Sequence, residues 1–126
     1  MYELKVITRF AAAHQLKMVS RKCENLHGHN WKIEVCVGGE TLNPAGVLLD
    51  FGEIKAHLAR IIADLDHKHL NELDFFGNQA PSSENIARFI AQRLQAAIAA
   101  DAVKVTRVTA WESEDACATY LVPTQK

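Results

Sequence analysis

Hydrophobic and polar residues alternate along two segments near the start of the chain, with the period of two that is typical of β-strands. The first row ends at His14 and the second begins at His27. A Gly38-Gly39 pair after the second row predicts a turn. The first row comprises Leu4, Val6, Thr8, Phe10, Ala12 and His14, and the second comprises His27, His29, Trp31, Ile33, Val35 and Val37.

Two later segments have apolar residues at helical spacing. Asp50, followed three residues later by Glu53, forms a capping-box pattern that predicts the start of the first helix. Pro81 precedes Ser82 and Ser83, either of which could cap the second helix. The apolar stripe of the first helix is Ile54, Leu58, Ile61 or Ile62, and Leu65, and that of the second is Ile86, Phe89, Ile90, Leu94 and Ile98.

Strand character returns over residues 103–112 and 116–122, with Glu114-Asp115 as the turn between them. The element order ββααββ predicts an α+β fold, in which a four-stranded antiparallel sheet carries two helices on one face. The length of 126 residues predicts a single domain over 1–126. Such a sheet has open edges, where strands of other subunits could pair.

Composition narrows the class of protein. Hydrophobic residues make up 48% of the chain and charged residues 23%. This mix is typical of a soluble globular protein. A formal charge of −1 gives no electrostatic sign of nucleic-acid or membrane partners. The start lacks a signal-peptide pattern, and three cysteines are an odd number for a disulfide framework, so we expect a cytoplasmic location.

Three of the six histidines come together in the predicted sheet. His27 and His29 lie on one face of a strand, about 6.6 Å apart along it. Pairing of the two strands across the intervening turn brings His14 to the same end. Three imidazoles with an open fourth position are typical of catalytic zinc, although iron or nickel would also accept them. A surface strand without any ligand is the alternative interpretation.

The cysteines divide into two kinds. Cys36 and Cys117 lie in apolar strand segments, which predicts that both are buried as small hydrophobic residues. Cys23 follows Arg21 and Lys22 in a polar loop, where adjacent cations favour the thiolate. Such a thiolate, four residues from a candidate metal ligand, could be a base, a nucleophile or a fourth ligand.

Two further groups have both a chemical and a structural interpretation. Asp66 beside His67 could orient an acid–base imidazole, or His67 and His69 could simply favour the end of the first helix. Glu112 continues a partly apolar row of its strand, after Val108 and Ala110, and is either a ligand anchor or an exposed strand end; the pattern alone favours the latter.

The motifs occur in a recognisable order and spacing. They are Phe10-Ala-Ala-Ala-His14, Cys23-Glu-Asn-Leu-His27-Gly-His29, Asp50-Phe51, Leu65-Asp66-His67-Lys-His-Leu70-Asn71, Pro81-Ser-Ser-Glu84-Asn85 and Trp111-Glu112. Over nearly the whole chain, this set resembles the 6-pyruvoyl-tetrahydropterin synthase family. It is most similar to the 6-carboxy-5,6,7,8-tetrahydropterin synthase branch of the queuosine pathway.

The resemblance implies a role for each motif residue. It implies that Zn²⁺ is bound by His14, His27 and His29. It implies that Cys23 abstracts a proton and that Asp66 and His67 complete a catalytic triad with it. Glu112 would anchor a pterin by accepting hydrogen bonds, and the substrate-binding stretch would comprise Ser82, Ser83 and Glu84. Ser82 is a mild departure from the family pattern, and His69 has no counterpart to which a role can be assigned.

The resemblance also implies a fold and a reaction. The fold would be the tunnelling fold, in which sheets join into a trimeric barrel and two trimers stack, with active sites between subunits. The substrate would be 7,8-dihydroneopterin triphosphate, and the products 6-carboxy-5,6,7,8-tetrahydropterin, acetaldehyde and triphosphate. The triphosphate could be bound by Lys17, Arg21 and Lys22, or these side chains could be solvated charges of the loop.

Three other functions remain open at this point. The pyruvoyl-forming synthase would use the same site and release a different product. A non-catalytic zinc-binding interaction domain would keep the histidines but have no use for Cys23 or His67. A three-histidine zinc hydrolase would act through a metal-bound hydroxide and need no thiolate.

Overall fold

A computed structural model of the chain describes residues 1–16 and 25–124. In it, strand β1 spans Tyr2–His14 and strand β2 spans His27–Gly39. They pair antiparallel over their full length, with His14 opposite His27. Both alternating rows are confirmed, because their apolar members face the protein core.

Strand β2 runs through the two glycines that were predicted to form a turn. The backbone at Gly39 is approached closely by Leu48 and by the carbonyl of Ala102. A Cβ at this position would lie 2.6 Å from Leu48 Cδ1 and 2.8 Å from Ala102 O. The glycine is therefore needed for close packing at the end of a strand rather than for chain reversal.

Both predicted helices are present, and each begins directly after a predicted capping residue. Helix α1 spans Phe51–Ala63, and the carboxylate of Asp50 accepts a hydrogen bond from the Gly52 N–H at 3.0 Å. Helix α2 spans Ser83–Ala97. Its cap is Ser82, whose hydroxyl oxygen accepts from the Asn85 N–H at 3.2 Å.

The sheet has one strand more than predicted. Strand β3 spans Lys68–His69 and pairs in parallel with Ala12 and Ala13 of β1. Strands β4, Lys104–Trp111, and β5, Cys117–Leu121, complete the order β3-β1-β2-β4-β5. The α+β class is confirmed, and the four long strands are antiparallel as predicted. A two-residue strand is too short to leave a periodic signal.

The hydrophobic core lies between one face of the sheet and both helices. Inward side chains of β1, β2 and β4 pack there with the apolar faces of α1 and α2. The opposite, open face of the sheet carries polar and charged side chains.

In the described part of the chain, neither helix is long and apolar enough to cross a membrane.

The structure confirms one of the two predictions for the strand cysteines. Cys36 is buried, with 2% of its surface exposed. Cys117 is exposed, so its predicted burial is wrong. The physical reason is its position: β5 is an edge strand, and its alternation turns Cys117 outward while Ala118 and Tyr120 are partly buried.

Candidate metal centre and adjoining clefts

Three imidazoles meet at one end of the sheet. The β1–β2 register puts His14 opposite His27, and His29 follows on the same face of β2. The ring centroids of His14 and His27 are 4.5 Å apart, and those of His27 and His29 are 4.6 Å apart. The convergence predicted from the two alternating rows is therefore confirmed.

A fourth donor joins this cluster. Glu112 follows the last residue of β4, and its Oε1 lies 2.8 Å from His29 Nε2 and 3.3 Å from His14 Nε2. One ligand atom from each of the four residues lies within 4.8 Å of every other. The sequence pattern favoured an exposed strand end at Glu112, since it could not show that β4 lies beside β2.

Backbone carbonyls fix the tautomers of two histidines. His14 Nδ1 donates to Pro81 O at 2.8 Å, and His27 Nδ1 donates to Asn25 O at 2.6 Å. A carbonyl oxygen only accepts, so both Nδ1 atoms carry a proton, and in the neutral rings both Nε2 atoms are bare. The two bare Nε2 atoms lie 2.9 Å apart. Their facing lone pairs repel each other, and a cation between them would turn this repulsion into attraction.

The third histidine, His29, is also placed to bind a cation. His29 Nε2 is buried and faces the Glu112 carboxylate, whose Oε1 lies 2.8 Å away. Burial lowers the pKa of His29, although the Glu112 carboxylate opposes this effect. Neutral imidazole is the form that binds metal, and three imidazole nitrogens with one carboxylate oxygen are a donor set that zinc accepts. The residues therefore fit Zn²⁺.

Two partners of the metal ligands could not be found from the sequence. The carbonyls of Pro81 and Asn25 orient His14 and His27, as outer partners of metal-binding histidines generally do. Every residue has a carbonyl, so no residue type identifies such a role. The interaction also ties the turn before α2 to the end of β1.

Asp66 and His67 form the predicted carboxylate–imidazole pair, but not at a helix end. Helix α1 stops at Ala63, and the pair lies in the turn before β3. Asp66 Oδ1 lies 3.0 Å from His67 Nδ1 and accepts from the Ala11 N–H at 2.9 Å. This backbone hydrogen bond is the main cause that lowers the pKa of Asp66.

The backbone at His67 is held in an unusual conformation. Its φ is 59°. This angle lies in the left-handed region, which non-glycine residues rarely adopt. The His67 N–H donates to Ala11 O at 2.6 Å, so the turn is fastened to β1 from both directions. Such strain persists where the surroundings enforce it, often at functional sites.

The His67 side chain opens onto a cleft beside the metal centre. It is 81% exposed and lines a cavity of about 480 Å³ on the open face of the sheet. His29 and His69 line the same cavity. His69 Nδ1 lies 3.2 Å from Glu72 Oε1. The structure thus brings His67 to the same cleft as one candidate metal ligand.

The remaining predicted site residues have different outcomes. Cys23 lies outside the described residues, as do the loop cations Lys17, Arg21 and Lys22. The hydroxyl of Ser82 caps α2, Ser83 is buried in the first turn, and Glu84 is exposed there.

Together, the sheet covered by two helices and the four-donor cluster define a small α+β protein with a candidate metal centre at the end of its sheet. The family model described as 6-pyruvoyl tetrahydropterin synthase matches residues 3–122. The chain belongs to this family, and it is a lyase of the tetrahydropterin synthase type.

Individual relatives differ in the reaction that their names state. The chain is 40% identical over 93 residues to 6-carboxy-5,6,7,8-tetrahydropterin synthase of Synechocystis, covering 70% of each protein. It is 35% identical over 106 residues to dihydroneopterin monophosphate aldolase of Pyrococcus furiosus, covering 84% of this chain and 85% of that one. The structure of Caenorhabditis elegans 6-pyruvoyl tetrahydropterin synthase superposes with a TM-score of 0.85 at 24% identity, over 97% of this chain and 96% of that one. This likeness confirms the expected fold of the single chain.

Proposed function

We propose that the protein is a zinc-dependent 6-carboxy-5,6,7,8-tetrahydropterin synthase that acts in queuosine biosynthesis in the cytoplasm. It would convert 7,8-dihydroneopterin triphosphate and one water molecule to the 6-carboxy product with release of acetaldehyde and triphosphate. The observation that carries the proposal is the pair of bare Nε2 atoms on His14 and His27, 2.9 Å apart beside His29 and Glu112. The Synechocystis relative supports this choice of reaction.

In this proposal His14, His27 and His29 hold the zinc ion; carbonyl partners orient the first two rings, and burial lowers the pKa of His29. Bound there, Zn²⁺ would supply Lewis acidity toward the hydroxyl groups of the substrate side chain. The carbonyl oxygens of Pro81 and Asn25 hold the Nδ1 protons of His14 and His27, so Nε2 is the nitrogen of each ring that would bind the ion.

Proton transfer is assigned to Cys23 and His67. The Cys23 thiolate would accept the proton from C1′ of the side chain, and His67 Nε2 would exchange a proton with the pterin ring. Asp66 orients His67 through the 3.0 Å contact with Nδ1, and the Ala11 N–H holds Asp66 in its charged form. The strained, fastened turn keeps this pair fixed during the exchange.

Binding of the pterin ring is assigned to Glu112 and to the stretch of Ser82, Ser83 and Glu84. The Glu112 carboxylate would accept hydrogen bonds from the 2-amino group and the ring N–H. Because Glu112 lies beside the histidines, the anchored ring would lie next to the substrate hydroxyl groups that bind the metal.

We also propose that the protein is a homo-oligomer built as a dimer of trimers. Light scattering of the purified protein would test this oligomeric state.

The deciding experiment is to identify the product formed from 7,8-dihydroneopterin triphosphate by the zinc-loaded protein. Mass spectrometry should find 6-carboxy-tetrahydropterin, and an aldehyde assay should find acetaldehyde in equal amount. A pyruvoyl product without acetaldehyde would replace the proposal with the pyruvoyl-forming synthase. Absence of any pterin product would favour a non-catalytic zinc-binding domain, and ester hydrolysis without pterin turnover would favour a zinc hydrolase.

The Pyrococcus relative favours a second candidate, an aldolase acting on dihydroneopterin monophosphate. Retro-aldol cleavage would also begin by moving a proton near a metal-held side chain, so the described site is compatible with it. The same assay separates the two, because retro-aldol cleavage leaves C1′ as a hydroxymethyl group on a dihydropterin, whereas the carboxy-forming reaction leaves it as a carboxyl group on a tetrahydropterin. Substrates with one and with three phosphates should be compared at equal concentration.

A further inference from the structure

Residues 66–71 run alongside β1, the strand that ends in His14, and are fastened to it at several points. The turn of Asp66 and His67 is held to the β1 backbone by two hydrogen bonds, and the two residues of β3 then pair with β1 in parallel. The segment that carries His67 and the strand that carries His14 are therefore joined along their length.

Asn71 makes the last of these contacts, beyond the end of β3. Its Oδ1 accepts from the Gln15 N–H at 2.8 Å, and its Nδ2 donates to Gln15 O at 2.8 Å. The carboxamide thus presents one donor and one acceptor to the chain, as a peptide group of a neighbouring strand would. Both contacts lie beyond the ladders, since β3 ends at His69 and the pairing of β1 with β2 ends at His14 and His27.

The position of Gln15 gives these two hydrogen bonds a consequence for the metal centre. The Gln15 N–H belongs to the peptide group that joins His14 to Gln15. Because a peptide group is planar, a hydrogen bond to this N–H fixes the orientation of the whole group and with it the ψ angle of His14. The bond to Gln15 O fixes the next peptide group. Asn71 therefore holds the main chain on the carboxyl side of His14, where both ladders have ended.

The ring of His14 has little freedom to compensate for a shift of its main chain. It is fully buried, and Trp31 contacts it edge-on with ring centroids 5.2 Å apart. Its Nδ1 donates to Pro81 O at 2.8 Å, and its Nε2 lies 2.9 Å from His27 Nε2. Because these partners define one ring orientation, a shift of the main chain would either break the contact with Pro81 or move Nε2 out of the cluster.

We propose that Asn71 is a positioning residue for the metal centre, and that it acts through the peptide group between His14 and Gln15. Its side chain is exposed and is not one of the four candidate ligands. Outer partners of metal ligands commonly change metal affinity by about 10–100-fold. The inference rests on the zinc site of the proposed function, and it assigns a role to the last residue of the motif that begins at Leu65.

The test compares Asn71→Ala and Asn71→Asp with Asn43→Ala in the full chain. Asn43 is the matched control, because it is also an exposed asparagine that makes two hydrogen bonds to the backbone. Its Oδ1 accepts from the Ala45 N–H at 2.9 Å and from the Val47 N–H at 3.3 Å. These contacts lie in the loop after β2, at the end of that strand remote from the histidines.

Two quantities are measured for each variant. The first is the zinc dissociation constant, obtained by competition with a chromogenic chelator. The second is the urea midpoint of the metal-free protein. Zinc affinity is measured without urea, so it reports the geometry of the folded site, whereas the midpoint reports the stability of the whole chain.

We expect Asn71→Ala to weaken zinc binding by about tenfold. Asn71→Asp keeps an acceptor for the Gln15 N–H and loses only the donor to Gln15 O, so it should weaken zinc binding less, by about threefold. Asn43→Ala should bind zinc as the wild type does. Because both alanine variants lose two exposed hydrogen bonds, their urea midpoints should fall by similar amounts.

Unchanged zinc affinity in Asn71→Ala would overturn the inference, and so would an equal loss of affinity in Asn43→Ala, which would indicate a general effect of stability. Failure of the proposed function is a separate result. If Asn71→Ala weakens zinc binding as expected but the wild type forms no pterin product, the positioning role stands and the proposed function is refuted. A wild type without affinity for zinc would overturn both.

Discussion

Replacing His14 and His27 separately by alanine should have opposite consequences for the metal-free protein. Both substitutions remove one nitrogen donor from the same centre. His14 is fully buried and its Nδ1 donates to Pro81 O, whereas the His27 side chain is 29% exposed and donates to Asn25 O at the surface. The two variants therefore share the loss of a donor and differ in what else is lost.

The magnitude follows from these surroundings. His14→Ala leaves the Pro81 carbonyl without its partner, which costs about 1–3 kcal/mol, and opens a cavity of the kind that costs about 2–5 kcal/mol. It also removes the repulsion between the two bare Nε2 atoms, which offsets part of the loss. We expect a net destabilisation of about 3 kcal/mol. His27→Ala removes the same repulsion without the buried losses, so its metal-free stability should be unchanged or higher.

Urea unfolding with a chelator, at pH 8 and equal protein concentration, measures this difference. With an m-value of about 2 kcal/mol/M, the His14→Ala midpoint should fall by about 1.5 M while that of His27→Ala does not fall. Excess zinc should stabilise the wild type by about 4 kcal/mol at a thousandfold excess over the dissociation constant, and both variants much less. Equal losses from the two metal-free variants, or a wild-type midpoint that zinc does not raise, would refute the reasoning.

Three further predictions concern the neighbouring residues. Cys23→Ala should keep the fold and the bound zinc but abolish turnover. Metal analysis and an assay of product formation would measure the two effects, and normal turnover would exclude Cys23 as the base. The carboxylate of Asp66 has a lowered pKa, so its contribution to stability should be lost as pH falls from 3.8 through the lower folded value. Asp66→Asn should flatten that part of an acid-unfolding curve, and an unaltered curve would contradict the assignment. Trp31 packs edge-on against His14 at 5.2 Å, so zinc should change its fluorescence in a Trp111→Phe background; an unresponsive signal would argue against metal at this site.

The sequence was informative where the determining interactions are local or periodic. The two alternating rows established which side chains share a face, and the strand pairing then placed His14 beside His27. The caps of both helices could be predicted because the side chains of Asp50 and Ser82 accept hydrogen bonds from backbone N–H groups within three residues. Local sequence patterns did not define where α1 ends, so Asp66 and His67 were assigned to the end of the helix rather than to the turn after it.

The sequence was uninformative where a contact depends on distant pairing or on backbone atoms. Glu112 reaches the cluster only because β4 pairs with β2, and its own strand pattern contains no sign of this. The carbonyl of Pro81 orients His14 from 67 residues away. Cys117 was expected to be buried because its neighbours are apolar, but the edge position of β5 decides its exposure.

The central claim is that three imidazoles at the end of the sheet hold one zinc ion. Mass-spectrometric determination of bound metal in purified protein, after dialysis against metal-free buffer, tests it most directly. The account predicts one zinc per chain in the wild type and almost none in His29→Ala, which removes one of the three nitrogen donors of the cluster. Metal-free protein that retains full turnover, or His29→Ala protein that retains its zinc, would contradict it.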